Sequence, residues 1–233
     1  YWQMEQAIQG MAAACQKLGL PVISGNVSLY NETEGQPIYP TPVVGMLGLL
    51  EDIGRRCGTA FQRSGDLVYL LGAELEEEPA TLGGSEYLKE MHGLVAGRPA
   101  IDLEHEARVQ TAVLEAHRQG LLSSCHDCSE GGLAVALAEA CIAGGLGLDA
   151  SGLEVKGRLD AALFGEAQGR FVVAVAPEAR ERLEDLARRT GVPLAYLGSV
   201  GGDRLRLGAS IDLPVAELAA AYEGGLAAAL GAP

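Results

Sequence analysis

The feature that most restricts the fold is a repeated change of hydrophobic period. Short runs that read as strands, the wholly apolar Leu67 to Leu71 and Phe171 to Ala176 and the more mixed Leu121 to Cys125 and Leu194 to Val200, alternate with longer stretches whose apolar residues recur every three or four positions. Runs of the first kind suit strands covered on both faces, and the second spacing gathers apolar side chains on one stripe of a helix. The helical stretches are Glu104 to Gln119, about Glu130 to Ala143, and one that starts at Pro177 and ends near Gly191. The expected fold is α/β, or mixed α+β, with helices packed on a sheet, and no internal repeat of solenoid length is visible.

The first part of the chain reads differently. Helical periodicity is already under way at Trp2, continues through Ile8, Met11 and Cys15, and stops at Gly19. No capping residue precedes it, so the chain is expected to have been cut from something longer. A strand is expected at Leu20 to Ser24, a turn at Gly25-Asn26, and a second extended run through Tyr30. A polar loop follows from Asn31 to Pro42, then a further strand from Val43 to Leu50. Gly54, Gly58 and the Ser64-Gly65-Asp66 turn mark a boundary, and 233 residues are enough for two cores, so the domains are expected at 1–58 and 59–233. Glu74 to Glu78 is read as a solvated acidic loop.

Composition narrows the function classes. With 31 acidic residues against 17 Lys and Arg, the formal charge is −14, which argues against a nucleic acid partner held by a general electrostatic surface. A phosphate would have to be held locally, by backbone N–H groups at glycine turns and helix starts or through a metal ion. The 32 glycines are compatible with that. Five cysteines, no secretory leader pattern and no apolar run long enough to cross a membrane point to a reducing cytoplasm. Cys125 and Cys128 form a single C-x-x-C with only His126 nearby, which is too few ligands for a structural zinc site.

Three constellations could carry chemistry. In SGNVSLYNET, Ser24 to Thr33, Gly25 permits close approach to the main chain, Asn26 offers a neutral oxygen to a hard cation, and Ser28 can donate to a ligand oxygen. On a strand, Asn26 and Ser28 would share a face, although the same residues also suit a plain hairpin. In HDCSEGGL, His126 to Leu133, Ser129 or Asp127 can cap a helix whose glycines admit either a phosphate or a packed neighbour. His126 and Asp127 would point to opposite faces of a strand, which disfavours an acid/base dyad. In FGEAQGR, Phe164 to Arg170, Glu166 and Gln168 would share a face and could grip hydroxyl groups, or form an ordinary polar loop.

Taken in order, SGNVSLYNET, LGGSEYL (Leu82 to Leu88), HDCSEGGLAVALAE (His126 to Glu139) and LFGEAQGR (Leu163 to Arg170) resemble the second half of phosphoribosylformylglycinamidine synthase, over nearly the whole chain. The two later motifs recur in the wider aminoimidazole ribonucleotide synthetase-like superfamily. The resemblance implies a truncated N-terminal, barrel-forming, ATP-binding domain followed by a C-terminal α/β domain. It implies part of a carbon–nitrogen ligase of purine biosynthesis that uses ATP, Mg²⁺ and glutamine-derived ammonia to convert formylglycinamide ribonucleotide to its amidine. Position by position, Gly25 looks like a nucleotide contact, Asn26 like a magnesium ligand and Ser28 like a substrate contact. No catalytic residue is carried over, and Asp127, Glu166 and Gln168 are not assigned as catalytic. The implied partners are the other half of the polypeptide, a glutaminase subunit and a small assembly subunit. The chain alone is expected to be inactive and to dimerise through unpaired strand edges. The alternatives are a non-catalytic module holding a structural ADP at residues 126–132, or a related synthetase or kinase.

Overall fold

The computed structural model describes residues 1–77 and 79–231 and divides into two compact units, Tyr1–Gly54 and Arg55–Pro233. In the first unit, α1 (Trp2–Leu18) ends at Gly19, whose left-handed backbone (φ 67) returns its N–H to the Cys15 carbonyl. None of the residues of α1 is buried, so the stripe carrying Trp2, Ile8 and Met11 lies open within this unit. Two short strands, β1 (Glu32–Thr33) and β2 (Gln36–Pro37), pair antiparallel around Glu34 and Gly35, both at positive φ (51 and 77). That is the geometry of a tight two-residue hairpin, set inside the segment read as a polar loop.

The strands expected at Leu20 to Ser24, onward to Tyr30 and at Val43 to Leu50 are not formed: these residues join no ladder. Their side chains are open, with Val43 94% and Leu47 93% exposed. An apolar, β-branched run supplies a surface that a sheet can use, but a strand exists only where a second backbone takes up its N–H and C=O groups.

In the second unit the elements run β3 (Leu67–Leu71), β4 (Glu76–Glu77), α2 (Glu86–His92), α3 (Leu103–Arg118), β5 (Leu122–Asp127) and α4 (Gly132–Gly144). They continue with β6 (Leu148–Ala150), β7 (Lys156–Gly157), α5 (Leu159–Phe164), β8 (Phe171–Val175), α6 (Arg180–Thr190), β9 (Leu194–Val200), β10 (Arg204–Leu207), β11 (Ile211–Pro214) and α7 (Val215–Ala229). Of the expected acidic loop, Glu76–Glu77 pairs in parallel with β7, and Glu78 lies outside the described residues.

Among the described residues seven strands form one mixed sheet in the order β11-β10-β6-β9-β3-β8-β5. Every neighbouring pair is antiparallel except β6 with β10. Alternation along the strands divides the core in two. Val68, Leu70, Val172 and Ala174 pack with Leu133, Leu137 and Ala140 of α4 on one face. Tyr69, Leu71, Val173 and Val175 pack with Val109 and Ala112 of α3 and Leu183 and Leu186 of α6 on the other. With helices on both faces, each strand residue meets an apolar layer, which is why β3 and β8 are apolar throughout.

The register decides where the motifs meet. Phe171, the first residue of β8, lies opposite both Leu71, the last of β3, and Asp127, the last of β5. Because these pairs are antiparallel, the segment leaving β5 and the segment entering β8 emerge at the same end of the sheet. HDCSEGGL and FGEAQGR, some forty residues apart in sequence, are thereby brought together.

Candidate functional site

The cluster at that end of the sheet is made by the main chain. The Cys128 N–H donates to the Arg170 carbonyl at 2.9 Å, extending the β5/β8 pairing by one step. Gly131 follows at φ 78 as the N-cap of α4, and Gly132 at φ 68 opens the helix, with no side chain capping it. A β-carbon at Gly132 would lie 2.5 Å from the Gly165 carbonyl oxygen, so both the backbone angle and the close approach require glycine here.

Glu166 ties the pieces together. Its Oε1 accepts the Gly131 N–H at 2.8 Å and the Glu86 N–H at 2.9 Å. Glu86 is the first residue of α2, whose N-cap, the buried Ser85, accepts from the Leu88 N–H. The Glu166 N–H donates to the Thr81 carbonyl at 3.0 Å, and Tyr87 stacks on Phe164 with centroids 5.0 Å apart. The buried Arg170 donates to the carbonyls of Gly165 and Ala167. LGGSEYL, HDCSEGGL and FGEAQGR are therefore one assembly. The expectation that Glu166 and Gln168 share a face is corrected: residues 165–170 are not a strand, Glu166 turns inward to the two N–H groups, and Gln168 is exposed.

His126 and Asp127 come closer than strand alternation suggests. His126 Nε2 lies 3.0 Å from Glu139 Oε2 on α4, and Nδ1 lies 3.5 Å from Asp127 Oδ1. That second approach is an ion-pair distance without hydrogen-bond alignment, because Nδ1 is buried with no hydrogen-bond partner among the described residues. Asp127 is the last residue of β5, so this approach lies at the end of the strand. The Ser129 hydroxyl donates to its carboxylate and holds the Asp127 pKa below the usual aspartate value, against partial burial. Burial alone pushes the Cys141 thiol up to about 12; Cys125 reaches the same value, chiefly through burial.

Gly25, Asn26 and Ser28 are all exposed and belong to no ladder. Gly25 is not in the left-handed region, and a β-carbon there would meet nothing within 4 Å. Asn26 is exposed, and a carboxamide oxygen is the kind of hard, neutral donor that Mg²⁺ accepts. Among the described residues there is no group of three or more His, Cys, Asp or Glu poised to hold a metal ion, and no helix is long and apolar enough to cross a membrane. A cavity of about 220 Å³ opens elsewhere, lined by Leu153, Leu159, Leu163 and Leu207 among others, and its lining holds no titratable side chain.

The family models that match are "AIR synthase related protein, C-terminal domain" over residues 63–210 and its N-terminal domain over residues 1–50. The chain belongs to the AIR synthase related family. Among curated proteins it is similar to the phosphoribosylformylglycinamidine synthase subunit PurL of Thermomicrobium roseum, 53% identical over 230 residues that cover 97% of this chain and 31% of that protein. It is also similar to the subunit PurL of Moorella thermoacetica, 55% identical over 205 residues, covering 88% of this chain and 27% of that one. The chain thus spans about three-tenths of the length of these relatives. Among solved structures, T. maritima PurL complexed with FGAR superposes with a TM-score of 0.60 at 20% identity, covering 72% of this chain and 30% of that one. T. maritima PurL complexed with ATP gives 0.56 at 19%, covering 72% and 28%. At these identities the superpositions speak for the mixed α/β fold.

Proposed function

We propose that this chain is part of an ATP-dependent ligase that converts formylglycinamide ribonucleotide, with glutamine-derived ammonia, to formylglycinamidine ribonucleotide in purine biosynthesis. The observation that carries this reading is 53% identity to a PurL subunit over 97% of the chain. The four ordered motifs support it, as do relatives of the same fold solved with FGAR and with ATP.

In this reading residues 1–58 are the remnant of the barrel-forming, ATP-binding domain, and residues 59–233 are the C-terminal α/β domain. Gly25 contacts the nucleotide, Asn26 ligates Mg²⁺ and Ser28 contacts the ribonucleotide. The exposure of all three leaves them available for such contacts. When bound, Mg²⁺ supplies charge neutralisation on the nucleotide phosphates. No residue of this chain is assigned a bond-making role, so the 233 residues alone are expected to be inactive. The rest of the polypeptide, a glutaminase subunit and a small assembly subunit are the proposed partners. The cytoplasm is the proposed location, and self-association through unpaired apolar edges is expected of the isolated chain.

The test is a chimera. The matching segment of the T. roseum subunit is replaced by this chain, and ADP release is followed with formylglycinamide ribonucleotide and ammonia. Turnover within about tenfold of the parent is expected, equivalent to a barrier change of about 1.4 kcal/mol. A folded chimera with no substrate-dependent ATP hydrolysis would overturn the proposal.

A further inference from the structure

The apolar stripe of α7 runs off the body of the second unit. Val215 is buried and Leu218 packs against the core, but every residue from 220 to 230 is exposed. Tyr222, Leu226 and Leu230 continue the four-residue spacing that starts at Leu218, and they are 65%, 72% and 74% exposed. Within this stretch stand Gly224 and Gly225, the weakest helix formers after proline, and a β-carbon at either would meet nothing within 4 Å. A helical end this short, carrying two glycines and covered by nothing, is marginal in water, so its apolar stripe needs a second surface.

Two observations identify that surface. α7 carries Glu217 and Glu223 and no Lys, Arg or His, and its carbonyl end adds partial negative charge. A second copy laid antiparallel on the stripe would set acid against acid, whereas an apolar groove rimmed by Lys and Arg would complement it. The family model for the C-terminal domain stops at residue 210, before α7, while the match to the T. roseum subunit covers 97% of this chain, most of α7 included, and only 31% of that protein. The helix is thus an addition to the domain that the family shares, and it recurs in a polypeptide most of which lies outside the match.

We propose that the stripe of Leu218, Tyr222, Leu226 and Leu230 is a docking surface, and that its partner is a basic-rimmed apolar groove elsewhere in the same full-length polypeptide. α7 then seats the C-terminal α/β domain on the rest of the subunit. The inference rests on the ligase reading for the existence of that remainder.

Hydrogen exchange read by mass spectrometry tests it, on the folded chimera with the T. roseum subunit and with no other subunit present. Peptides covering residues 219–230 should exchange at least about tenfold more slowly in the chimera than in the 233-residue chain at a dilution where that chain is monomeric. Tyr222→Ser combined with Leu226→Ser should return those peptides to the fast rate in the chimera, while peptides covering Val172 to Val175 keep theirs. Equal exchange in the two proteins would overturn the proposal, as would protection in the chimera that survives the paired substitution. Protection that appears only when a glutaminase or assembly subunit is added, or only where the isolated chain dimerises, would place the partner elsewhere and overturn it too. ADP release is read on the same chimera: lost turnover with α7 protected counts against the ligase reading alone, and turnover with α7 unprotected counts against this inference alone.

Discussion

Val43, Val44, Leu47 and Leu49 in the first unit and Val172, Val173 and Val175 in the second are the same kind of sequence, yet they have opposite surroundings. The former are between 67% and 94% exposed, and the latter are buried to 1% or less. The second set lies in β8, with β3 on one side, β5 on the other and a helical layer on each face. The first set has no ladder. Hydrophobic pattern therefore specifies a capacity for strand formation, and a partner backbone decides whether the capacity is used. The same contrast separates α1, with no buried residue, from α4, whose apolar residues are buried almost all round.

The sharpest way to break this comparison is a matched pair of truncations. Leu137→Ala removes a fully buried side chain from α4 and should lower stability by about 2–5 kcal/mol. Leu47→Ala should change it by no more than about 0.5 kcal/mol. Urea unfolding followed by circular dichroism measures both, and comparable losses would contradict the account. A pair of glycines sharpens it further. Gly132→Ala forces a β-carbon into a left-handed backbone against Gly165 and should cost about 1–3 kcal/mol, whereas Gly25→Ala meets open space and should be nearly neutral.

The smallest expected effect is electrostatic. Removing the hydroxyl in Ser129→Ala should raise the Asp127 pKa toward the ordinary aspartate value, as read by NMR titration of its carboxyl carbon. A carboxyl whose pKa is depressed on folding adds stability above its unfolded pKa and loses it as pH falls through the folded value. The substitution should therefore cost a little stability near neutral pH, and the difference should vanish as pH falls below the folded pKa, which flattens the acid limb of the stability curve slightly.

Much of the second unit was legible in the sequence because its elements are locally consistent. Leu67–Leu71 and Leu194–Val200 form the strands expected, and α3 and α6 lie within a few residues of their helical periodicities. β6, β10 and β11 were not anticipated. They are short and alternate apolar residues such as Leu148, Leu205 and Leu207 with charges such as Asp149, Arg204, Arg206 and Asp212, so no continuous apolar run marks them and their place comes from pairing with neighbouring strands. The strands read at Leu20 to Ser24 and Val43 to Leu50 failed for the complementary reason, having pattern without a partner. In the site, the joining of His126–Leu133 to Phe164–Arg170 follows from the β5/β8 register, which no local signal encodes. The Glu166 contact with Gly131 left one trace in the sequence: a helix opening on two glycines brings no side-chain cap of its own.

Amide hydrogen exchange across the whole 233-residue chain, at a dilution where it is monomeric, tests the contrast between the two regions most directly. The account expects the amides of Val68 to Leu71 and Val172 to Val175 to exchange only on global unfolding, and those of Val43 to Leu50 to exchange at nearly unprotected rates. Protection at Val43 to Leu50 matching that of β3 would show that those residues have found a ladder within the chain, and would contradict it.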